Sequence, residues 1–299
     1  MRFNTLSSKL FSAGLRLLLV VTFVQPFAAH AALGDAMKTR FQDLTAQLAQ
    51  NQFGQPLYLE SNESNTGSKG DIWAQINHPF ADVESTFGAP VNWCDVLILH
   101  LNTKYCRPSA TQAGTVLAVS IGSKSPEPLD RASLMQFAFN IVSSTPDYYE
   151  AQLTADSGPY ATSNYHIRLQ AIPAGGGRTF LHLTYSYEYR MAGRVAMSGY
   201  LATAGRGKVG FTVVGQGDDG APKYINGVRG VVERNTMRYF LAIDSYLEAL
   251  SLPRDQQLEK RLQTWYSASE RYARQLHEVD RVAYLDMKRE EYRRQHADN

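Results

Sequence analysis

The sequence is poor in the features that carry most recognisable chemistry. Only two cysteines occur, Cys94 and Cys106, and no cysteines and histidines have the spacing of a metal site. There is no nucleophile elbow, paired-carboxylate signature or zinc-protease motif. Away from the N-terminus, no apolar run approaches the roughly 20 residues that a membrane-spanning helix needs. We therefore predict no metal, no cofactor and no membrane span in the mature chain, and the case for an enzyme is weakened.

The one long apolar run has the layout of an export signal. Three basic residues precede the apolar run 17–24, and the small-x-small pattern of residues 29–31 follows it. The alternative is an uncleaved membrane anchor, but the run is too short to span a bilayer. We predict a signal peptide over residues 1–31 and a periplasmic or secreted mature protein.

An excess of charge of one sign is also missing from the mature chain. The full sequence has 30 basic and 28 acidic residues and a formal charge of +2. Residues 1–31 contain three basic residues and no acidic residue, so their removal leaves a formal charge of −1. Nucleic-acid binding depends on many basic groups that neutralise phosphates. We therefore predict no nucleic-acid partner.

The two cysteines both remain after cleavage of the predicted signal. In an oxidising compartment, disulfides persist, so Cys94 and Cys106 are expected to pair and to close a short loop. The alternative is two separate buried thiols. Neither cysteine has a histidine at catalytic spacing, which argues against a thiol nucleophile.

Periodicity and turn residues divide the mature chain into elements. Apolar residues at helical spacing predict an N-terminal helix over residues 35–50, and the Ser-, Asn- and Gly-rich stretch 60–70 predicts an exposed loop. A short strand is predicted over residues 71–76. It ends before Pro79, which favours the first turn of a helix. Two short consecutive helices are predicted between residues 79 and 99.

Strict alternation of apolar and polar residues follows, in segments joined by short turns. The clearest segment is 181–189, where leucines and tyrosines alternate with polar residues. Such alternation predicts an antiparallel sheet with one covered face, and it predicts that His166 and His182 face solvent. A Gly-rich motif at residues 205–210 matches the dinucleotide fingerprint. A strand is predicted after it instead of the required helix, so no dinucleotide site is expected.

Two helical segments close the sequence. Apolar residues on one side of 228–250 predict a long helix that covers the sheet, with Arg234 and Arg238 largely off that side. Pro253 ends this helix. The region after it carries a heptad-like seam over residues 258–286, with charged residues on the other faces. This last helix packs within the chain or pairs with a partner, and the polar residues in the seam favour packing within the chain.

The order of these elements resembles the START-like superfamily, which also contains polyketide cyclases and aromatase-like proteins. The residues that carry the resemblance are 71–99, with the helix starts at Pro79-Phe80 and Pro90, and 227–250, the covering helix. The resemblance covers residues 69–250 and implies an α+β helix-grip fold, in which a curved antiparallel sheet wraps around a long C-terminal helix. We expect a signal peptide at 1–31, an N-terminal helix and loop at 32–68, the helix-grip domain at 69–252 and an appended charged amphipathic helix at 253–299.

In that superfamily, a cavity between sheet and helix holds apolar ligands, so the resemblance implies a hydrophobic small-molecule ligand. Tyrosine suits the wall of such a cavity because its ring is apolar and its hydroxyl orients a polar group. The alternative is that these aromatic residues belong to an ordinary core, which is the more common cause of aromatic alternation. Asn235 is expected to hydrogen-bond the ligand or a strand carbonyl. Arg238 is expected to bind a carboxylate or phosphate of the ligand, or to form a surface salt bridge with Glu233 or nearby acids. The expected ligand-binding residues are Trp73, Leu183, Tyr185, Tyr187, Asn235, Arg238 and Tyr239.

Three functions remain open from the sequence. The first is a periplasmic binding or carrier protein for a lipid-like or isoprenoid compound, which predicts a large apolar cavity. The second is a cyclase- or isomerase-type enzyme, which predicts a titratable cavity residue with a perturbed pKa. The third is an interaction module in which the cavity is collapsed and the helix 254–296 binds an envelope protein or a second copy, which predicts a filled core and an exposed seam. Export, the helix-grip outline and the missing catalytic motifs favour the carrier.

Overall fold

The computed structural model describes residues 26–190 and 205–297, together with Met1 and Gly199. Most of the predicted signal peptide lies outside the described residues. Helix α1 (Pro26–Asp43) begins within its last residues, and the chain turns at Leu44 before helix α2 (Thr45–Ala49). The helix predicted over residues 35–50 is therefore present as two helices. None of the described helices is long and apolar enough to cross a membrane.

One antiparallel sheet of eight strands organises the described residues. Strands β3 to β8 form a meander in which each strand pairs with the next in sequence, and the hairpin β1–β2 joins it through the pairing of β2 with β8. The predicted antiparallel sheet is confirmed. Its spatial order is β1 (Leu57–Glu63), β2 (Gly67–Ile76), β8 (Arg178–Tyr189), β7 (Thr162–Gly175), β6 (Tyr148–Ser157), β5 (Ser133–Thr145), β4 (Gly114–Ile121) and β3 (Thr103–Thr111).

The prediction of an exposed loop over residues 60–70 is wrong. Strand β1 ends at Glu63, and β2 begins at Gly67 after a tight turn. The polar composition misled the prediction because β1 is an edge strand with little apolar content beyond Leu57 and Leu59. Those two leucines are buried and hold the strand on the sheet.

The two predicted short helices are present as α3 (Phe80–Phe87) and α4 (Pro90–Leu97). Proline precedes the first helix and begins the second, where a missing N–H costs nothing. The indole of Trp93 donates to the carbonyl of Phe87 at 2.9 Å, which fixes α4 against the end of α3. Cys94 of α4 and Cys106 of β3 form the predicted disulfide.

Helix α5 (Gly227–Glu248) covers one face of the sheet, which we call the inner face, and packs most closely on β2. A Cβ atom at Gly70 would lie 2.4 Å from the Oγ1 atom of Thr236, so this glycine permits the close approach of helix and strand. An antiparallel sheet gripping a long C-terminal helix is the helix-grip fold, and the predicted fold class is confirmed. A two-stranded ribbon, β9 (Val213–Gln216) and β10 (Pro222–Tyr224), precedes α5, so the Gly-rich motif leads into a strand.

The two arginines predicted to lie off the covered side of α5 are in fact buried. Arg234 and Arg238 are each 2% exposed. The reason is that the C-terminal helices cover the side of α5 that faces away from the sheet. Trp265, in the helix after α5, donates to the backbone carbonyl of Arg238 at 3.1 Å and is itself buried.

Residues 253–299 were predicted as one amphipathic helix but form three described helices, α6 (Arg254–Glu270), α7 (Ala273–Leu276) and α8 (Arg281–Ala297). The predicted seam is buried within the chain at Leu262, Trp265 and Leu276. The seam ends there because residues 277–280 are not helical. The next helix, α8, packs with a different face toward the core, so Asp286 is exposed. Packing within the chain is confirmed, and the buried part of the seam is not available to a partner.

Helix α8 is attached to the loop before β3 by two fully buried lysines. The ammonium group of Lys288 donates to the carbonyls of His100 and Thr103 at 2.6 and 2.9 Å, and it pairs with Glu291 at 2.7 Å. Lys104 pairs with the other carboxylate oxygen of Glu291 at 2.9 Å. Burial lowers the pKa of Lys288 to about 8. Both buried charges are therefore satisfied only when α8 is in place.

The outer face of the sheet is partly covered by α1 and α2, and this corrects the prediction for His182. The imidazole is 3% exposed, stacks on Trp73 at 3.5 Å between ring centroids and lies 2.8 Å from Asp71. Arg40 of α1 lies over the Trp73 ring at 5.0 Å. The alternation correctly placed His182 on the outer face, but that face is covered here. His166 is exposed as predicted.

The disulfide generates a prediction about stability. Replacement of both cysteines (Cys94→Ala with Cys106→Ala) should lower the free energy of unfolding by about 3 kcal/mol, because the unfolded chain regains the freedom of the short closed loop. Urea unfolding measures the loss. Reductant should lower the stability of the wild type by a similar amount and leave the variant unchanged. An equal effect of reductant on both proteins would contradict the prediction.

Candidate binding site on the inner face

Five tyrosines form a continuous aromatic surface between the sheet and α5. The alternation of β8 places Tyr185, Tyr187 and Tyr189 on the inner face, β7 adds Tyr165, and α5 adds Tyr239. We call this set the tyrosine cluster. Its ring centroids are 5.2 Å apart for Tyr185 and Tyr239 and 5.5 Å apart for Tyr165 and Tyr187. Such a surface combines apolar area with hydroxyl groups that can orient a ligand.

Two polar atoms at this surface are buried without a hydrogen-bond partner. They are the hydroxyl of Tyr187 and the Nε2 atom of His100. The His100 ring stacks on Tyr239 at 4.9 Å, and its Nδ1 atom accepts the N–H of Asn102 at 3.2 Å. Nδ1 is therefore unprotonated and Nε2 carries the hydrogen. Buried polar groups are nearly always bonded, and in the described part of the chain these two atoms share their lack of a partner with others, such as the hydroxyl groups of Tyr149 and Thr103.

The aromatic surface is electrically neutral. Burial lowers the pKa of His100 well below its usual value, and the positive charges of Arg238 and Lys288 lower it further. Burial also raises the pKa of Tyr185 well above its usual value. The imidazole is therefore uncharged and the tyrosine keeps its proton at neutral pH, so both groups act as hydrogen-bond donors rather than as ions.

Asn235 connects the tyrosine cluster to a charged region. Its side chain lies beside the Tyr185 hydroxyl and the His100 ring, and its Oδ1 atom accepts from Arg238 at 3.3 Å. Asn235 therefore faces side chains of the inner face rather than water. Arg238 does not pair with Glu233, which was one alternative from the sequence. That carboxylate instead accepts the backbone N–H of Thr212 at 2.9 Å.

Three cations surround one carboxylate next to Asn235. Glu278, in the break between α7 and α8, lies 2.7 Å from Lys124, 2.9 Å from Arg238 and 3.1 Å from Lys208. We call these three basic residues the cation cluster. Burial alone would raise the pKa of Glu278, but Arg238 and Lys124 outweigh burial and hold the pKa at about 2. Burial and the neighbouring Arg238 lower the pKa of Lys124 to about 8.

The structure brings together six of the seven predicted ligand-binding residues. Leu183 is fully buried on the inner face. Trp73 is the exception, because β2 pairs with β8 in a register that sets Trp73 opposite His182, and both side chains point to the outer face. That these residues bind a ligand stays a prediction. Leu183, Tyr185 and Tyr187 lie on the inner face, and Asn235 and Tyr239 of α5 lie against them. Arg238 lies under the C-terminal helices and adjoins this set through Asn235.

Sequence reasoning missed the charged half of this site. Lys124, Lys208 and Glu278 were not identified from the sequence as candidate site residues. Each lies in a loop or at the end of an element, where the spacing of apolar residues does not indicate which side chains are buried. Their proximity depends on the fold of the C-terminal helices over α5, and no local signal in the sequence indicates it.

A cleft of about 450 Å³ lies at the other end of α5, where it meets α3. Its walls carry both polar and apolar groups, and at its edge His78 lies 3.7 Å from Asp244. Burial raises the pKa of Asp244, and His78 opposes that shift. Within the described ranges 26–190 and 205–297, no group of three metal-ligating side chains comes together. The cleft is lined by His78, Asp82, Ser85, Thr86, Leu247, Glu248, Leu250 and Ser251.

No protein-family model and no curated protein matches the chain. Solved structures are similar to it at low identity. A norcoclaurine synthase point mutant from Thalictrum flavum, in complex with a transition-state analogue, is 14% identical with a TM-score of 0.34, and the match covers 48% of this chain and 89% of that one. Ara h 8.0201 is 12% identical with a TM-score of 0.34, over 64% and 99% of the two chains. A conserved protein from Geobacillus kaustophilus is 13% identical with a TM-score of 0.30, over 46% and 85%. Likeness at this level carries no argument about ligand or activity, and the fold stated above follows from the topology of the chain itself.

The unpartnered hydroxyl generates a stability prediction. Tyr187→Phe should leave the unliganded protein as stable as the wild type or stabilise it by about 1 kcal/mol, because it removes a buried donor that has no acceptor. The matched control is Tyr165→Phe. The Tyr165 hydroxyl lies 2.7 Å from Thr162 Oγ1, so its loss should destabilise by about 1 kcal/mol. Urea unfolding of both variants measures the difference, and equal destabilisation by the two substitutions would contradict it.

The buried imidazoles generate a prediction about pH. The pKa of His100 in the folded protein lies well below the ordinary 6.5. Its stabilising contribution is therefore complete above pH 6.5 and is lost as the pH falls, because the unfolded chain takes up a proton that the folded chain resists. Each such group adds up to about 1.4 kcal/mol per pH unit to the slope of the free energy of unfolding against pH. Burial also lowers the pKa of His182, so it contributes in the same direction.

The test is urea unfolding of wild type and His100→Gln at pH 7.5, 6.5 and 5.5. The slope of the free energy of unfolding against pH should be smaller in the variant than in the wild type. An unchanged slope would show that the folded protein protonates His100 as easily as the unfolded chain does.

Proposed function

We propose that this protein is an exported binding or carrier protein for a hydrophobic small molecule of lipid-like or isoprenoid type, held between the sheet and α5. The observation that carries the proposal is the tyrosine cluster, a buried aromatic surface between the sheet and α5 with Asn235 beside it. Such a surface supplies apolar area for the body of a hydrophobic ligand, and its hydroxyl groups can orient a polar group of that ligand.

Two further features support an exported carrier. The predicted signal peptide directs the chain out of the cytoplasm, and the disulfide between Cys94 and Cys106 suits an oxidising compartment. The wall residues also match the requirements of a ligand site, which combines mostly apolar area with a few fixed polar groups. On this view, Asn235 and Tyr185 orient the polar end of the ligand, and Leu183 and the tyrosine rings contact its apolar part.

A cyclase- or isomerase-type enzyme is the second candidate, and one observation favours it. His100 is a neutral imidazole with an uncommitted Nε2, next to the protonated hydroxyl of Tyr185 through Asn235. A neutral imidazole and a tyrosine hydroxyl are suitable groups for acid–base work on a bound ligand. His100→Asn separates the two functions, because a carrier would keep its ligand and an enzyme would lose turnover of it.

Native mass spectrometry of the mature protein, purified without detergent from its own compartment, tests the carrier. We expect a stoichiometric apolar adduct that is identified after extraction with organic solvent. Tyr185→Trp, or Tyr239→Trp, should abolish the adduct because the larger ring occupies the ligand volume. The matched control is Tyr160→Trp, since the Tyr160 side chain is 80% exposed and a larger ring there extends into solvent.

A clean mass of the unliganded protein, with no uptake from a total lipid extract, would count against the carrier. An adduct that survives both cluster substitutions in folded protein would place the ligand elsewhere, for instance in the cleft beside α3. Circular dichroism of each variant establishes that the protein is folded before its adduct is scored.

A further inference from the structure

The C-terminal segment places a single carboxylate, that of Glu278, among the basic residues of the cation cluster. Glu278 is 7% exposed at its side chain, and its two oxygens contact all three members of the cation cluster. A fourth cation, Arg234, is close enough to lower the pKa of Lys124. The segment that carries Glu278 belongs to the appended helices and not to the sheet or α5.

In the contacts described for this region, the single carboxylate of Glu278 is shared by three cations. Other nearby carboxylates are engaged elsewhere, since Glu270 pairs with His277 at 3.0 Å and Glu233 accepts the backbone N–H of Thr212. The sequence around Lys208 supplies no acid, because residues 190–210 contain four basic residues and no acidic one. Partly buried cations in excess over anions favour the binding of a further or stronger anion.

The same arginine links the carboxylate to the tyrosine cluster. One terminal nitrogen of Arg238 lies 2.9 Å from Glu278, and the other donates to Asn235 at 3.3 Å. An anion held where the Glu278 carboxylate lies is therefore one side chain away from the tyrosine cluster. A space of about 10 Å³ also adjoins Glu278, walled by Leu101, Trp265, Leu276 and Val279 among others.

Glu278 sits on a segment that can release it. Residues 277–280 are not helical, and the first and last of them are exposed. The carboxylate can therefore rotate into water without dismantling α7 or α8. The backbone of the segment stays tied through the carbonyl of His277, which accepts from Lys208 at 3.0 Å.

We propose that Glu278 is an internal stand-in for the head group of the ligand, and that the ligand is an amphiphile with an apolar body and a carboxylate head. The head displaces Glu278 from the cation cluster, and the apolar body lies against the tyrosine cluster. An arginine fork with two flanking ammonium groups suits a carboxylate, which accepts several charge-assisted hydrogen bonds at once. This inference rests on the carrier function proposed above and assigns its ligand class.

Isothermal titration with oleate and with oleyl alcohol, both below their aggregation limits, tests the ligand class. The two probes share one hydrocarbon chain and differ in the charge of the head. Glu278→Gln should bind oleate about tenfold more tightly than the wild type, because the competing carboxylate no longer lowers the population of the open site. Its affinity for oleyl alcohol should not change. The control Glu270→Gln alters a carboxylate of the same region outside the cation cluster and should change neither affinity.

A second variant decides the question if Glu278→Gln does not fold. Lys124 and Lys208 are 27% and 28% exposed at their side chains, so the double change Lys124→Gln with Lys208→Gln is compatible with folding. It should reduce the affinity for oleate to that for oleyl alcohol. Circular dichroism checks the fold of each variant.

The outcomes separate the ligand class from the carrier function. If both probes bind but Glu278→Gln gains no affinity for oleate, or the double variant keeps a preference for oleate, the internal stand-in is overturned and the carrier remains. If neither probe binds to the wild type or to any folded variant, the carrier function fails together with the ligand class.

Discussion

The burial of charged side chains on α5 constrains the rest of this molecule. Glu233, Arg234 and Arg238 are each at most 2% exposed although they are charged, because the helix lies between a sheet and three other helices. A buried charge without a partner costs several kcal/mol, so neighbouring segments must supply partners. Glu233 accepts the backbone N–H of Thr212, Arg234 donates to the carbonyl of Val209 at 3.0 Å, and Arg238 forms an ion pair with Glu278. The strand-to-helix connection and the C-terminal helices are thus integral to the grip.

Because α5 carries buried charges, the appended helices are part of its packing and not a separate addition to the domain. In a helix-grip outline they look like an addition after the covering helix, and their charged composition suggests a free surface. In the structure, these helices instead complete the burial of α5, and the segment between α7 and α8 places the Glu278 carboxylate beside the candidate site. The tyrosine cluster gives that site apolar area, the cation cluster gives it charge, and Asn235 lies between the two. The amphiphile that we propose as ligand would contact both halves, with its apolar body on the tyrosine cluster and its carboxylate at the cation cluster.

The parts of the fold that the sequence predicted are those written in local patterns. The prolines before α3 and in α4, the alternation in β8 and the apolar side of α5 each act over a few residues, so their elements were identified with nearly correct bounds. The same alternation placed Leu183 and the tyrosines together. It also placed His182 on the outer face, but alternation does not say what covers a face, and α1 and α2 cover this one. Trp73 was misassigned because its face depends on the pairing of β2 with β8, which its short strand does not reveal. Glu278 was missed because its partners come from three distant loops and helices, and only the assembled chain brings them together.

The attachment of α8 affects how the chain reaches its folded state. Lys104 and Lys288 are fully buried and neutralised only by Glu291, and the backbone N–H of Cys106 is accepted by Gln295 at 3.0 Å. The strand that follows α4 is thus completed by residues nearly 200 positions later in the chain. Contacts of such long range are formed late and slowly. The partners that β3 needs for its buried lysine are therefore not in place until residues 281–297 have packed against it.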